Sequence, residues 1–325
     1  MASAPASAGA APPLPPAAAD GAGALTAEAR AGARAQAPGS SGREATGPML
    51  YLRDETCILA EELSKRLERE PPLGGEEDGD GAEAADVIIT DFDEAKLRLE
   101  VPEEALHLVR VSIKLPGAVF AEMERAGLGV QARLAAVYGA MLQAEPHDGA
   151  DATLVIDRRA LAAPAAEVVS KVANLRRHVL SWPFLRLMRA VAEGRGAAER
   201  PFCLRLSARE PVFLLARADR VVAIFHLAFE EPTDRAVARI IAQELTEANR
   251  QVNNAPPCSW SERDVPLELK TFADVPRPAD DAQSIGFLTF SIFPGSFKTE
   301  AQRESIAAHL ALFRPYLTYH LKAAK

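Results

Sequence analysis

Residues 284–325 constrain the fold more tightly than any other stretch. SIGFLTFSIF (284–293) is an apolar run of strand length, and Pro294-Gly295-Ser296 turns the chain after it. Thr299 and Gln302 then stand three residues apart. This is the spacing of a capping box, in which each side chain satisfies the other residue's backbone N–H at a helix start. One helix over 299–324 is expected. Ile306, Leu310, Phe313, Leu317 and Leu321 recur on one stripe of it, and His309, Leu312, Tyr316 and Tyr319 form a second, semi-apolar stripe. A helix that covers only its own sheet needs one stripe. Two predict burial from two sides, by its own domain and by a second body, either another domain of the chain or a partner.

Length and composition set the remaining bounds. The chain has 325 residues and 48% hydrophobic content, enough for two domains with real cores. No apolar run reaches the roughly 18 residues of a membrane span, and no basic-then-apolar secretory leader opens the sequence. Cys57, Cys203 and Cys258 are scattered and odd in number, which fits a reducing compartment rather than a disulfide framework. The net charge of −8 argues against a generic nucleic-acid binder. The charge is uneven: residues 171–220 hold eleven Lys or Arg against four acids, a local +7, which leaves −15 for the remainder. Such a block reads either as arginines lying on solvated faces or as a site for an acidic partner.

Taken in order, residues 1–47 are rich in Ala, Pro, Gly and Ser without hydrophobic period and read as disordered. A helix is expected over 49–69, with Leu52, Thr56, Leu59, Leu63 and Leu67 on its apolar face and Pro71-Pro72 ending it. An acidic loop, 73–86, follows. Strands are expected at 86–92, 96–101 and 106–115. In the third, Val109, Val111, Ile113 and Leu115 alternate with Arg110, Ser112 and Lys114, the period of a half-buried strand. A helical region over 118–138, broken near Gly127 and Gly129, leads to strands at 140–144 and 152–157. A long helical stretch over 164–193 should kink or break at Pro183. The second half repeats the order: strands at 202–207, 212–216 and 221–229, a helix over 234–250 with Val237, Ile240, Ile241, Leu245 and Ala248 inward, strands at 258–261 and 285–293, and the closing helix.

Runs of strands joined by short turns predict mainly antiparallel sheets, so the fold class is α+β. The expected architecture is a tandem repeat of two similar units, each reading helix, three strands, helix, two strands, helix. The first unit spans 48–162 with its acidic loop, and the second spans 163–325.

Chemistry-bearing motifs are scarce. Phosphate loops, dinucleotide fingerprints, H-E-x-x-H, C-x-x-C and G-x-S-x-G do not occur, and the six histidines lack metal-ligand spacing. Asp91 and Asp93 end an apolar strand, an arrangement that binds Mg²⁺ in haloacid-dehalogenase-type phosphatases. There, however, Gly-Thr or Gly-Val follows, where this chain has Glu94-Ala95. A solvated strand end is the plainer reading, and no cofactor is expected. A secretion-chaperone-like homodimer is a further alternative, since small α+β units of this order also bury helices by pairing.

Seven collinear stretches resemble one family: DFDEAKLRLEV (91–101), VRVSIKL (109–115), AAVYGAMLQAEP (135–146), RADRVVAIF (217–225), VPLELK (265–270), IGFLTFSIFP (285–294) and FRPYLTYHLK (313–322). They resemble subunit 2 of the actin-related protein 2/3 complex, over most of residues 49–325. The resemblance implies a non-catalytic scaffold of two similar α/β units in the cytoplasmic actin cytoskeleton. It implies pairing with subunit 4 and contact with the side of an actin filament. By position it implies actin contacts at Arg176, Arg177, Arg220 and Arg250, and a subunit interface at His309, Leu312, Tyr316, Tyr319 and Lys322. Three departures stand out. Ala135-Ala136 replaces a Lys-Arg pair. Pro315 replaces an Asp and should bend the closing helix. Family members continue with a basic helical extension, where this sequence ends at Lys325.

Overall fold

The computed structural model describes residues 55–68, 83–90, 94–207, 209–249 and 256–323. The opening segment 1–47, most of the acidic loop, Asp91, Asp93 and Arg250 lie outside them.

Helix α1 (Cys57–Leu67) starts after Thr56 and buries Leu59, Leu63 and Leu67, the expected face. The first sheet follows the alternation read from the sequence. Strands β1 (Ala85–Thr90), β2 (Lys96–Val101), β3 (Leu108–Lys114) and β4 (Ala152–Asp157) lie in the order β1-β2-β3-β4, every pair antiparallel. Leu97, Leu99, Val109, Val111 and Ile113 are buried. Lys96, Arg98, Glu100 and Arg110 take the other face, because neighbouring side chains on a strand point to opposite sides. Between β3 and β4 run α2 (Val119–Arg125) and α3 (Val130–Tyr138), separated by Gly127 and Gly129 with positive φ. The strand expected at 140–144 does not form. Gly139 has φ 55°, a one-turn helix follows at Gly139–Met141, and only Leu142 bridges to Leu154.

The expected long helix of 164–193 is three helices: α4 (Ala165–Ala173), α5 (Leu175–Leu180) and α6 (Trp182–Ala192). One break falls at Asn174, and the other at Ser181, two residues before Pro183. Asn174 turns its amide back to the Ser170 carbonyl (2.7 Å), a local bond that competes with helix continuation. Pro183 sits in the first turn of α6, where a missing N–H costs nothing.

The second sheet has five strands: β5 (Phe202–Leu204), β6 (Val212–Ala216), β7 (Val221–Ala228), β8 (Cys258–Ser261) and β9 (Ser284–Ile292). Their order is β5-β6-β7-β9-β8, and all pairs are antiparallel. Every residue of β6 and β7 is buried, which requires cover on both faces. Leu214, Ala223, Phe225 and Leu227 join the main core shared with the helices and the first sheet. Phe213, Leu215, Val222, Ile224 and Phe287 pack on the other face against Leu269, with Val265, Phe272 and Val275 around them. The irregular segment between β8 and β9 therefore takes the place of a helix layer.

Helix α7 (Pro232–Asn249) buries Ala238 and Ala242, flanked by half-buried Val237, Ile241 and Leu245. Ile240, expected to face inward, is 58% exposed. The expected closing helix is two helices, α8 (Glu300–Ala311) and α9 (Phe313–Ala323), broken at Leu312. Pro315 is the third residue of α9. Its missing N–H falls opposite the last turn of α8, so the interruption and the proline occur together.

The capping box is present. Gln302 N–H donates to Thr299 Oγ1 (3.2 Å), and Thr299 N–H donates to Gln302 Oε1 (3.0 Å). Thr299→Ala is expected to lower stability by about 1 kcal/mol, read as a lower urea midpoint with an unchanged slope. An unchanged midpoint would show that the box contributes nothing to folding.

The fold bears on the phosphatase reading of Asp91 and Asp93. That reading needs a parallel, doubly wound sheet, whereas β1, which leads to these residues, pairs antiparallel with β2. Among the described residues no group of three or more His, Cys, Asp or Glu is arranged to hold a metal. No helix there is long and apolar enough to cross a membrane.

Candidate interaction surfaces

Helices α8 and α9 carry both stripes as two distinct faces. Leu310, Leu317 and Leu321 are buried, with Ile306 and Phe313 half-buried against the same core. On the second stripe His309 and Lys322 are exposed, and Leu312, Tyr316 and Tyr319 are half-buried. Tyr316 and Tyr319 both meet the ring of His320, at 4.2 and 5.6 Å between centroids. Tyr316 and His320 also line a groove of about 410 Å³ between α7 and α9, floored by Ile241, Leu245, Phe290, Phe313 and Leu317 and edged by Glu244. The exposed Ile240 adjoins it in sequence. The second stripe thus continues into an apolar concavity.

An ion pair that sequence reading missed fixes α9. Arg314 reaches Glu210 (Nε to Oε2, 2.8 Å) and lays its guanidinium over Phe229, 4.3 Å from the ring centroid. Glu210 also accepts the Ala228 N–H (3.1 Å). Burial raises the Glu210 carboxyl above its usual range, although Arg314 and the Ala228 N–H pull the other way. These partners are 104 residues apart in sequence, so no local spacing announced them.

The four basic candidates fare differently. Arg176 is only 4% exposed, which removes it from any surface. On α5, whose successive residues point about 100° apart, the inward slot falls to Arg176 and the half-buried outer one to Arg177. Arg220 sits at the β6–β7 turn, closed by Arg217 N–H donating to the Arg220 carbonyl (2.8 Å). It pairs with the exposed Asp219 (3.3 Å) and lies 5.8 Å from the centre of the Phe293 ring. Arg250 lies outside the described residues. Several other arginines of the basic block are engaged internally: Arg186 with the Gly127 carbonyl and Glu199, Arg189 with Glu300, and Arg195 with Glu193.

Arg177 belongs to a cleft of about 350 Å³ whose walls come from α3, α4, α5, α6 and α8. Arg133, Lys171, Arg177, His178, Glu167 and Glu304 all line it. Arg133 stacks over Trp182 (5.4 Å) and meets Glu304 at 3.3 Å. Lys171 lies over Tyr138 (6.0 Å). The Tyr138 hydroxyl donates its one proton to the Lys171 carbonyl (3.0 Å), so the His178 Nδ1–H must donate to that hydroxyl (2.8 Å). Burial first, then the charges of Arg133, Arg177 and Lys171, push His178 down to about 4. The unfolded chain takes this proton near pH 6.5. The stability due to neutral His178 is therefore lost as pH falls from about 6.5 towards 4. NMR of the ring is expected to show no titration above pH 5. A midpoint at the ordinary histidine value would contradict the arrangement.

Against this geometry, the sequence profile described as "Arp2/3 complex, 34 kD subunit p34-Arc" matches residues 111–325, which include α2–α9, the cleft and the groove. The chain belongs to the p34-Arc family. "Actin-related protein 2/3 complex subunit 2" of Dictyostelium discoideum is 30% identical over 277 residues, covering 85% of this chain and 86% of the relative. The protein of the same name from Schizosaccharomyces pombe is 28% identical, covering 85% and 87%. "Actin-related protein 2/3 complex subunit 2A" of Arabidopsis thaliana is 29% identical, covering 71% and 73%. The p34-Arc relationship thus reaches upstream of residue 111, into the first sheet, since 85% of the chain exceeds the span of the profile match.

Proposed function

We propose that this chain is a non-catalytic scaffold subunit of an actin-related protein 2/3 complex in the cytoplasmic actin cytoskeleton, supporting filament nucleation and branching. The observation that carries this reading is the p34-Arc match across both the shared core and the closing helices. The physical contribution of such a subunit is geometric. Small actin oligomers dissociate readily, and a scaffold that holds actin-related partners and a filament in fixed positions removes part of that entropy cost.

Within this reading, the second stripe of α8 and α9 pairs with subunit 4. His309, Leu312, Tyr316, Tyr319 and Lys322 form the contact, and the groove beside Tyr316 receives apolar side chains of the partner. Half-exposed tyrosines suit such a boundary, since each offers an apolar ring and a polar tip. Filament contact falls to Arg177, Arg220 and Arg250. We also read the chain as two copies of one unit, 48–162 and 163–325. Strands β1-β2-β3-β4 then correspond to β5-β6-β7-β9, and the Leu142 bridge on β4 occupies the place of β8 on β9.

Affinity purification of the tagged chain from its own cells tests the proposal. Co-purification with two actin-related proteins and the remaining complex subunits is expected. Recovery of the chain alone, or as a homodimer by light scattering, would overturn it.

A further inference from the structure

Three side chains on one face of α6 reach towards both sheets of the molecule. Trp182, Arg186 and Arg189 stand at i, i+4 and i+7, so they form one stripe. Two of them grip the elbow between α2 and α3, the helices that connect β3 to β4 of the first sheet. Trp182 Nε1–H donates to the Leu128 carbonyl (2.8 Å), and Arg186 donates to the Gly127 carbonyl. Glycines flank Leu128 at φ 73° and 68°, so side-chain sterics do little to stiffen this elbow by themselves. The third reaches α8, which follows β9 of the second sheet: Arg189 Nε donates to Glu300 Oε1 (2.8 Å).

The Trp182 ring joins the two grips. The guanidinium of Arg133 on α3 lies 5.4 Å from the ring and that of Arg189 lies 5.3 Å from it, both within cation–π range. Two cations on one ring repel each other. Each has its own carboxylate, Glu304 for Arg133 (3.3 Å) and Glu300 for Arg189, and the two acids stand one turn apart on α8. Contacts thus run without interruption from α3 through Trp182 to α8. Apolar packing also joins the two sheets in one core, but it is non-directional and lets packed helices slide. Hydrogen bonds have a preferred direction, so they select one setting among those the core allows.

We propose that this face of α6 is the joint that holds the two sheets of the scaffold at one angle, with Trp182 as its positioning residue. The proposal rests on the scaffold reading above and deepens it. A scaffold that sets the spacing of its partners needs a stiff connection between its two sheets, and Trp182 clasps the elbow of one to the closing helix of the other.

Hydrogen exchange of the full chain, followed amide by amide, tests the joint. The Leu128 N–H bonds to the Met123 carbonyl and the Arg133 N–H to the Gly129 carbonyl, so these two amides report on the elbow. Trp182→Leu is expected to speed exchange at both about tenfold and to leave the amides of β7 unchanged. Trp182→Phe keeps a ring for the two guanidiniums and loses the N–H, so a smaller rise of about threefold is expected. A role in global stability alone would speed exchange in β7 by the same factor as at the elbow. That uniform change, or no change at all, would overturn the joint. In the complex reconstituted with this chain, Trp182→Leu is expected to lower branch nucleation about threefold at unchanged subunit composition. Nucleation at the wild-type rate despite a loosened elbow would overturn the positioning role. If Trp182→Leu does not fold or assemble, Trp182→Phe carries both comparisons with the same overturning results. An unmodified complex that does not nucleate would overturn the scaffold reading, while exchange in the chain alone still decides the joint.

Discussion

Gly286→Ala is expected to destabilise the chain by at least about 3 kcal/mol, and Gly286→Val by more. Gly286 lies within β9 at φ 103°, a region that residues with a side chain rarely enter. A Cβ there would stand 2.1 Å from the Ser261 carbonyl oxygen and 2.7 Å from Glu262 Cα. Both are backbone atoms of the chain leaving β8, so relief requires β8 to move. The reason for the unusual φ is visible in the pairing. Leu227 faces Gly286 while Ala228 faces Ser284, so Ile285 is an extra residue in β9, a bulge. The bulge turns the Ser284 hydroxyl towards the Gly286 N–H (3.1 Å) and His226 Nε2 (2.9 Å), while His226 Nδ1–H donates to the Arg209 carbonyl (2.6 Å). The chain of bonds is complete only if Ser284 donates to a neutral His226, and burial lowers the pKa of that ring accordingly. A substitution at Gly286 breaks this network and the β8–β9 pairing together. Chemical denaturation of the two variants beside the wild type measures the loss. A loss under about 1 kcal/mol would show that β8 shifts cheaply.

Arg314→Ala is expected to cost about 3 kcal/mol at neutral pH, and the cost is expected to fall in acid. The side chain of Glu210 is only 13% exposed, and Arg314 is the cation that offsets its charge. Removing Arg314 leaves the carboxylate buried with the Ala228 N–H alone, and also strips the guanidinium from Phe229. The sign of the pH effect follows from the raised pKa. A carboxyl raised in the folded state stabilises fully only below its unfolded pKa of about 4.3, and that stability is lost as pH rises through the folded value. Without Arg314 the folded value rises further, because two of the influences that lower it came from that residue. The variant should therefore lose most relative to wild type near pH 7 and least below about pH 4.5. Glu210→Gln in the Arg314→Ala background removes the buried charge and should recover part of the stability, which separates the charge from the lost stacking. A deficit that does not vary with pH would assign the effect to stacking alone.

Local signals in the sequence were reliable wherever one stretch of chain decided the outcome. Val109, Val111 and Ile113 alternate because β3 has one buried face, and Leu59, Leu63 and Leu67 recur every fourth residue because α1 has one. Thr299 and Gln302 need only each other. Reading failed where a single residue interrupts a regular pattern or where packing chooses between neighbouring faces of one helix. The strand expected at 140–144 shrank to one bridge at Leu142, and the helix expected across 164–193 broke at Asn174. Ile240 fits an inward stripe by spacing, but Ala238 and Ala242 take the inward positions because small side chains let α7 lie close on the core.

The interaction surfaces divide in the same way. The second stripe on the closing helices was readable, since a helix repeats its faces every 3.6 residues whatever surrounds it. Of the arginine pair on α5, sequence could not say which side chain points in, and packing buried Arg176. The cleft was invisible beforehand because Arg133, Lys171, Arg177 and Glu304 come from four helices whose only relation is spatial. The ion pair of Glu210 with Arg314 and the cover of β6 and β7 by Leu269 and Phe272 are of the same kind. By itself the sequence determined the α+β class, most element positions, the capped start of α8 and the two faces of the closing helices. These depend on neighbours within a turn or a strand. Only the tertiary structure decided which basic side chains meet in a cavity and which are buried, because burial and Coulomb energy depend on distances in space that sequence separation does not encode.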